Sequence, residues 1–137
     1  MKLRLLLLLL LTVTFTFSLG AQKLSKLPKT EREKKIMEIA KEVYKRDKFK
    51  AFYREYGEPK IVERAATQDY DNPDTPSYGV RKGEILYSVY FFYDMTKERM
   101  EEDFAAKVVI SDKTGLALYI TLGNMYIYPI NPHKPRE

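Results

Sequence analysis

The spacing of apolar residues changes period along this chain, and each change marks an element. Ile36, Ile39, Ala40 and Val43 recur at three- and four-residue steps, with Met37 and Tyr44 on the flank and Lys and Glu between. That period predicts an amphipathic helix with one core-facing stripe. Thr30-Glu31-Arg32-Glu33 has the form of a capping box, in which the Thr30 hydroxyl accepts from the Glu33 amide. Beyond Tyr44 the phase is lost. Asp47 and Arg54 fall where the next core contacts belong, while Phe49, Phe52, Tyr53 and Tyr56 mark a nearly opposite face. One straight rod would have to bury both faces, so a break near 46–48 and a second short helix to about Tyr56 are expected. Gly57 then supplies a left-handed cap, and Pro59 prevents continuation.

After Pro59 the period shortens to two. Residues 60–65 read as a strand centred on Ile61 and Val62. In 84–93, Ile85, Tyr87, Val89, Phe91 and Tyr93 share one face and Leu86, Ser88, Tyr90 and Phe92 the other. Two apolar faces predict a central strand, with helix on one side and partial cover on the other. Further strands are expected at 104–111, 116–122 and 125–130. Asp112-Lys113-Thr114-Gly115 makes one turn, and Gly123-Asn124 a two-residue hairpin turn with glycine at positive φ. The charged segment 94–103 forms a helical turn or a long hairpin loop. Residues 67–83, with two prolines, two glycines and three aspartates, form a loop of a length that often carries function. The fold class is α+β: an N-terminal helix, broken near 46–48, packed on a four- to five-stranded, mainly antiparallel sheet. The single domain spans 30–130, between a leader arm at 22–29 and an extended tail at 131–137.

Residues 1–21 stand apart. Lys2 and Arg4 precede an unbroken leucine run from Leu5 to Leu11, continued by Val13, Phe15 and Phe17 and closed by Ser18-Leu19-Gly20-Ala21. Basic, apolar and small-residue segments in that order make a secretory signal peptide. The alternative is an uncleaved anchor, but the apolar run is about 15 residues, short of the roughly 20 that cross a bilayer. No cysteine follows it for lipid attachment. The expected product is exported, periplasmic or secreted, without membrane insertion after cleavage.

Composition then removes whole classes of chemistry. Taking 21 residues from 137 leaves 116, enough for one real core. With no cysteine, an exported domain must be stabilised by burial rather than by disulfides, and it has no thiolate nucleophile or thiolate metal site. The single histidine, His133, sits in the proline-flanked tail, far from any partner for a triad or a metal centre. Without Lys2 and Arg4, 22 basic and 19 acidic side chains remain, a mixed surface and not a nucleic-acid-binding one.

Three candidate sites are visible. Asp69-Tyr70-Asp71-Asn72-Pro73-Asp74 is acidic, but its spacing fails calcium ligation at Pro73 and lacks a closing glutamate. Glu101-Glu102-Asp103 and Glu31/Glu33 are adjacent carboxylates with no cleft to separate their pKa values. No catalytic residue, metal or cofactor is therefore expected. The tyrosines are the better clue, since an aromatic body with a polar tip suits protein and peptide contacts. Tyr70 and Tyr78 lie in the loop with no strand to pack along, and together with Arg81 they are the expected binding residues.

From about Ile61 to Ile120 the chain resembles PepSY-like domains of bacterial envelope proteins. The resemblance is carried by Tyr87-Ser88-Val89-Tyr90-Phe91, by Val108-Val109-Ile110-Ser111-Asp112-Lys113-Thr114-Gly115, and by Gly57-Glu58-Pro59-Lys60-Ile61-Val62 between helix and sheet. The long loop 67–83 and a strand at 125–130 depart from that pattern. The resemblance implies a small cystatin-like, non-catalytic domain, of a kind that in some cases inhibits or modulates peptidases. The expected function is a non-catalytic binding or modulating domain acting on an envelope protein or peptide. The alternatives are a structural or assembly component of the bacterial cell surface and a carboxylate-dependent hydrolase.

Overall fold

The computed structural model of the chain describes residues 23–131. The expected signal peptide, Gln22, and the tail from Pro132 with His133 lie outside the described residues. Helix α1, Lys29–Tyr44, follows a 3-10 turn at Leu24–Lys26 and precedes a 3-10 helix at Asp47–Phe52. Five strands then form one sheet: β1 Lys60–Ala65, β2 Ile85–Phe91, β3 Ala106–Ser111, β4 Ala117–Leu122 and β5 Ile127–Pro129. Their spatial order is their sequence order, and every neighbouring pair is antiparallel. This is the α+β layer that the change of period predicts.

The helix start differs from expectation. Pro28 is the N-cap, its carbonyl accepts the Arg32 amide at 2.9 Å, and no side chain caps the helix. Thr30 is therefore already helical, and the capping box does not form. The anchoring lies upstream. Leu24 is buried in the main core, so the chain enters α1 from a fixed point at Pro28, whose φ is already close to helical. Residues 23–28 are thus docked rather than a free arm. The break after α1 falls where the phase is lost: Arg46 leaves the helical region at ψ 141. The second helix is 3-10 and ends at Phe52, short of Tyr56. The Tyr44 hydroxyl causes that stop by donating to the Phe52 carbonyl and accepting from the Arg54 amide, both at 2.7 Å. Gly57, at φ 63, turns the chain into β1 and caps nothing.

One sheet face packs on the helix. Ile36, Ala40, Val43 and Tyr44 meet Tyr87, Val89 and Phe91 of β2, Val108 and Ile110 of β3, and Ile120 of β4. Each such large side chain contributes about 1.5–3 kcal/mol when buried. Beside this core stands a buried polar cluster. Asp112 accepts from the Ser25 amide at 2.7 Å, the Ser25 hydroxyl at 2.9 Å and the Tyr87 hydroxyl at 2.8 Å. It clamps the first 3-10 turn to the β3–β4 turn. Burial, and then the hydrogen bond to Asp112, push the Tyr87 phenol well above its ordinary pKa.

The opposite, outer face has its own small core of Ala66, Val80, Leu86, Val109, Leu118 and Tyr119. A register shift between β3 and β4 makes it possible. Val109 opposes Tyr119 while Ile110 opposes Ala117, which leaves Leu118 as an extra residue. Such a bulge re-aims a side chain, and here two consecutive residues, Leu118 and Tyr119, join the outer core.

The β4–β5 connection is also not the expected two-residue turn. The Met125 amide donates to the Leu122 carbonyl and the Leu122 amide to the Tyr126 carbonyl, both at 2.9 Å, enclosing three residues. The left-handed position is Met125 at φ 72, not Gly123. Gly123 is required for a different reason. A methyl group there would strike the Met100 side chain and lie 2.9 Å from the Phe104 carbonyl oxygen. Along β5, Tyr126 and Ile130 bond to β4, so Ile127 and Pro129 turn their backbone groups away from the sheet.

Candidate functional site

The segment 66–84 does not hang free. The Ala66 amide donates to the Glu84 carbonyl and the Gly83 amide to the Ala66 carbonyl, both at 2.8 Å, extending the β1–β2 hairpin by one step. Further out, the Tyr70 amide donates to the Val80 carbonyl at 2.9 Å and the Gly79 amide to the Tyr70 carbonyl at 2.8 Å. Gly79, at φ 90, holds a backbone angle that a side chain would oppose. A fully buried Val80 pins this second rung onto Leu86, Val109, Leu118 and Tyr119. The loop is a small folded cap on the outer sheet face.

The three expected binding residues fall in different places on it. Tyr70 is half-buried and packs against the outer core. Tyr78 is half-buried, its amide bonded to the Thr75 carbonyl at 3.1 Å. Arg81 is exposed and donates to Asp71 at 2.6 Å, with Asp69 at 3.8 Å. Asp69 in turn accepts the Lys82 amide at 2.8 Å. The acidic stretch thus spends two carboxylates on positioning Arg81 and the loop backbone. Among the described residues no group of three or more acidic or histidine side chains is placed to hold a metal ion. The tip, residues 71–74, is exposed and turned by Asn72, which accepts the Asp74 amide at 2.9 Å through its side chain and the Thr75 amide at 3.1 Å through its carbonyl. The cap therefore offers a preformed, mixed-charge tip on an apolar base.

Beyond the cap the outer face is partly exposed: Lys60 and Ile127 are exposed, Tyr90 and Lys107 half-buried, and Ser88 and Thr121 buried. One row of directly opposed residues crosses all five strands: Lys60, Tyr90, Lys107, Thr121 and Ile127. Lys107 is half-buried on the central strand, its Nζ 6.0 Å from the Tyr90 ring centroid and 5.7 Å from that of Phe104. The two rings meet edge-on at 5.4 Å. Burial, and then the charge of Arg64, pull the Lys107 ammonium below the ordinary lysine pKa. Sequence reading missed this residue, although a lone lysine inside the apolar run 104–111 was the available signal.

A cleft of about 360 Å³ lies at the far end of α1. Its floor includes Tyr44, Tyr53 and Phe91, its rim Lys41 and Lys45, and its wall the chain around Gly57. The Tyr44 phenol beneath it is raised by burial to a pKa of about 12, partly offset by the Arg54 amide. It therefore stays protonated and keeps its structural bonds at any physiological pH. One side of the cleft is braced by Arg54, which donates to Glu98 at 2.6 and 3.0 Å. Comparison with protein-family models, with curated proteins and with solved structures finds no match to the chain.

Proposed function

We propose that the protein is a small exported, non-catalytic domain that binds and modulates an envelope protein or peptide. The observation that carries this reading is the folded cap at 66–84. Binding costs less when the contact surface is already ordered, and this cap is ordered by two backbone rungs, a buried Val80 and the Asp69–Asp71–Arg81 ion pairs. Arg81, held in place and exposed, is the side chain best suited to a partner contact, since arginine is enriched among residues that dominate interfaces. The PepSY-like resemblance of about residues 61–120 agrees with this reading, because it implies a cystatin-like, non-catalytic domain of a kind that in some cases modulates peptidases.

The test begins with the full-length gene expressed in a bacterium. The purified protein is expected to begin at Ala21 or Gln22 and to come from the exported fraction. Immobilised on resin, it should retain one stoichiometric envelope protein, and Arg81→Ala should weaken that complex by about 1–2 kcal/mol while lowering stability by no more than the roughly 0–1 kcal/mol that exposed ion pairs contribute. A protein that begins at Met1 in the membrane pellet, or a resin that retains nothing, ends this reading.

A further inference from the structure

We propose that the partly exposed row on the outer sheet face, at Lys60, Tyr90 and Lys107, is the docking site for an acidic, extended segment of the partner protein, with Lys107 as the residue that meets a carboxylate. This rests on the reading of the chain as a protein-binding domain, and it adds the chemistry of what is bound.

The argument starts from which side chains the sheet turns outward. From β1 these are Lys60, Val62 and Arg64; from β2, Leu86, Ser88 and Tyr90; from β3, Lys107, Val109 and Ser111. β4 adds Leu118, Tyr119 and Thr121, and β5 adds Ile127 and Pro129. Three of these are cations and none is a carboxylate. The cap covers Leu86, Val109, Leu118 and Tyr119, and Thr121 is itself buried, so the reachable part of the row is exposed Lys60 with half-buried Tyr90 and Lys107.

Lys107 is the distinctive member. A half-buried ammonium on a central strand ordinarily has a carboxylate beside it, because burial removes part of its hydration. Among the described residues no carboxylate lies within ion-pair distance of its Nζ. What surrounds it are the Tyr90 and Phe104 rings and, beyond ion-pair distance, the like charge of Arg64 and the weaker opposing charge of Glu102. The rings hold the ammonium in place without neutralising it. An arriving carboxylate would find a partly dehydrated, pre-positioned cation whose low-dielectric setting strengthens the contact. Lys60, two strands away in the same row, extends the positive strip.

The same chemistry argues against two other occupants. A second copy docked face to face would bring a like set of cations against Lys60, Arg64 and Lys107. Single-stranded nucleic acid needs exposed ring faces for its bases. Here Phe104 is 9% exposed, Tyr90 meets it edge-on, and Lys107 lies over both rings.

Fluorescence anisotropy with a labelled glutamate-rich peptide tests the assignment. The wild-type chain is expected to bind it, and Lys107→Glu to weaken binding by about tenfold or more. Lys107→Met keeps the stem and its packing while removing the charge, so it should weaken binding and still fold by circular dichroism. Lys34→Glu, on the exposed side of α1, changes net charge equally and should bind as wild type does. The proposal is overturned if the peptide does not bind, if Lys34→Glu loses as much as Lys107→Glu, or if an oligonucleotide of equal charge binds more tightly. Failure of the broader reading shows separately, as a wild-type resin that retains no envelope protein.

Discussion

Replacing Asp112 by alanine should be among the most damaging single substitutions in this domain. Asp112 is 6% exposed and receives three donors, from the Ser25 amide, the Ser25 hydroxyl and the Tyr87 hydroxyl. A hydrogen bond to a charged acceptor is worth about 1.5–3 kcal/mol, and a buried donor left without a partner costs about 1–3 kcal/mol. The two Ser25 groups lie near the surface and water can reach them after the change. The Tyr87 phenol, 2% exposed, has no such replacement. The expected loss is therefore about 3–5 kcal/mol, a large share of the roughly 5–15 kcal/mol that holds a domain together. Asp112→Asn keeps the shape and one acceptor oxygen, so it should lose about half as much. Urea unfolding followed by circular dichroism, with linear extrapolation, gives both numbers, and an unchanged slope would show that the unfolded state is unaltered. A double-mutant cycle with Ser25→Ala should return a coupling of about 1 kcal/mol. A loss under about 1 kcal/mol for Asp112→Ala, or equal losses for alanine and asparagine, would refute the reasoning.

The β4–β5 connection supplies a matched pair of tests. Gly123→Ala should destabilise by about 1–3 kcal/mol, because the new methyl meets the Phe104 backbone as well as the Met100 side chain. Met125→Gly should raise the melting temperature, since the left-handed region costs a residue with a Cβ about 1–2 kcal/mol and Met125 is 59% exposed, so it gives up little packing. The Arg54 guanidinium holds the Glu98 carboxyl below the ordinary carboxylate range. With the folded pKa below the unfolded one, this pair's contribution is complete above the unfolded value and disappears as pH falls through the folded value. Glu98→Gln should therefore show a smaller drop in urea midpoint between neutral and acid pH than wild type does. Equal drops would mean that the ion pair does not contribute.

The helix stripe from Ile36 to Val43, the break after it and the two-faced strand around Val89 were legible because burial imposes a period on the side chains. Other features depend on groups the side-chain pattern does not report. The cap at 66–84 read as a plain loop because its rungs join backbone atoms of Ala66, Tyr70, Gly79 and Gly83, with Val80 as the one buried aliphatic anchor beyond Ala66. The bulge at Leu118 was hidden because Leu118 and Tyr119 suit either face. The capping box at Thr30 matched its motif, but Pro28 and the anchored Leu24 decided where the helix begins. Of the expected site, the exposure of Arg81 fits a loop position, whereas the packing of Tyr70 on the outer core follows from the bulge and was not legible without it. Lys107 drew no notice because Tyr90, which meets both it and Phe104, lies on the neighbouring strand and is brought there by the β2–β3 register.

Pro129 gives the last strand a property that bears on how the protein behaves when concentrated. β5 is an edge strand flanked by large exposed side chains, with Tyr126 at 65% and Ile127 at 48%. Such an edge would ordinarily recruit another chain by extending the sheet. Its outward backbone positions are Ile127 and Pro129, and proline has no N–H to donate. An incoming strand would find a single outward donor within β5. At the other edge, β1 carries Lys60, Glu63 and Arg64, three charges in six residues, which any stacked strand would have to accommodate. Both ends of the sheet are thus closed to propagation, one by a missing proton and the other by charge. The apolar side chains of β5 can remain exposed without seeding a fibre.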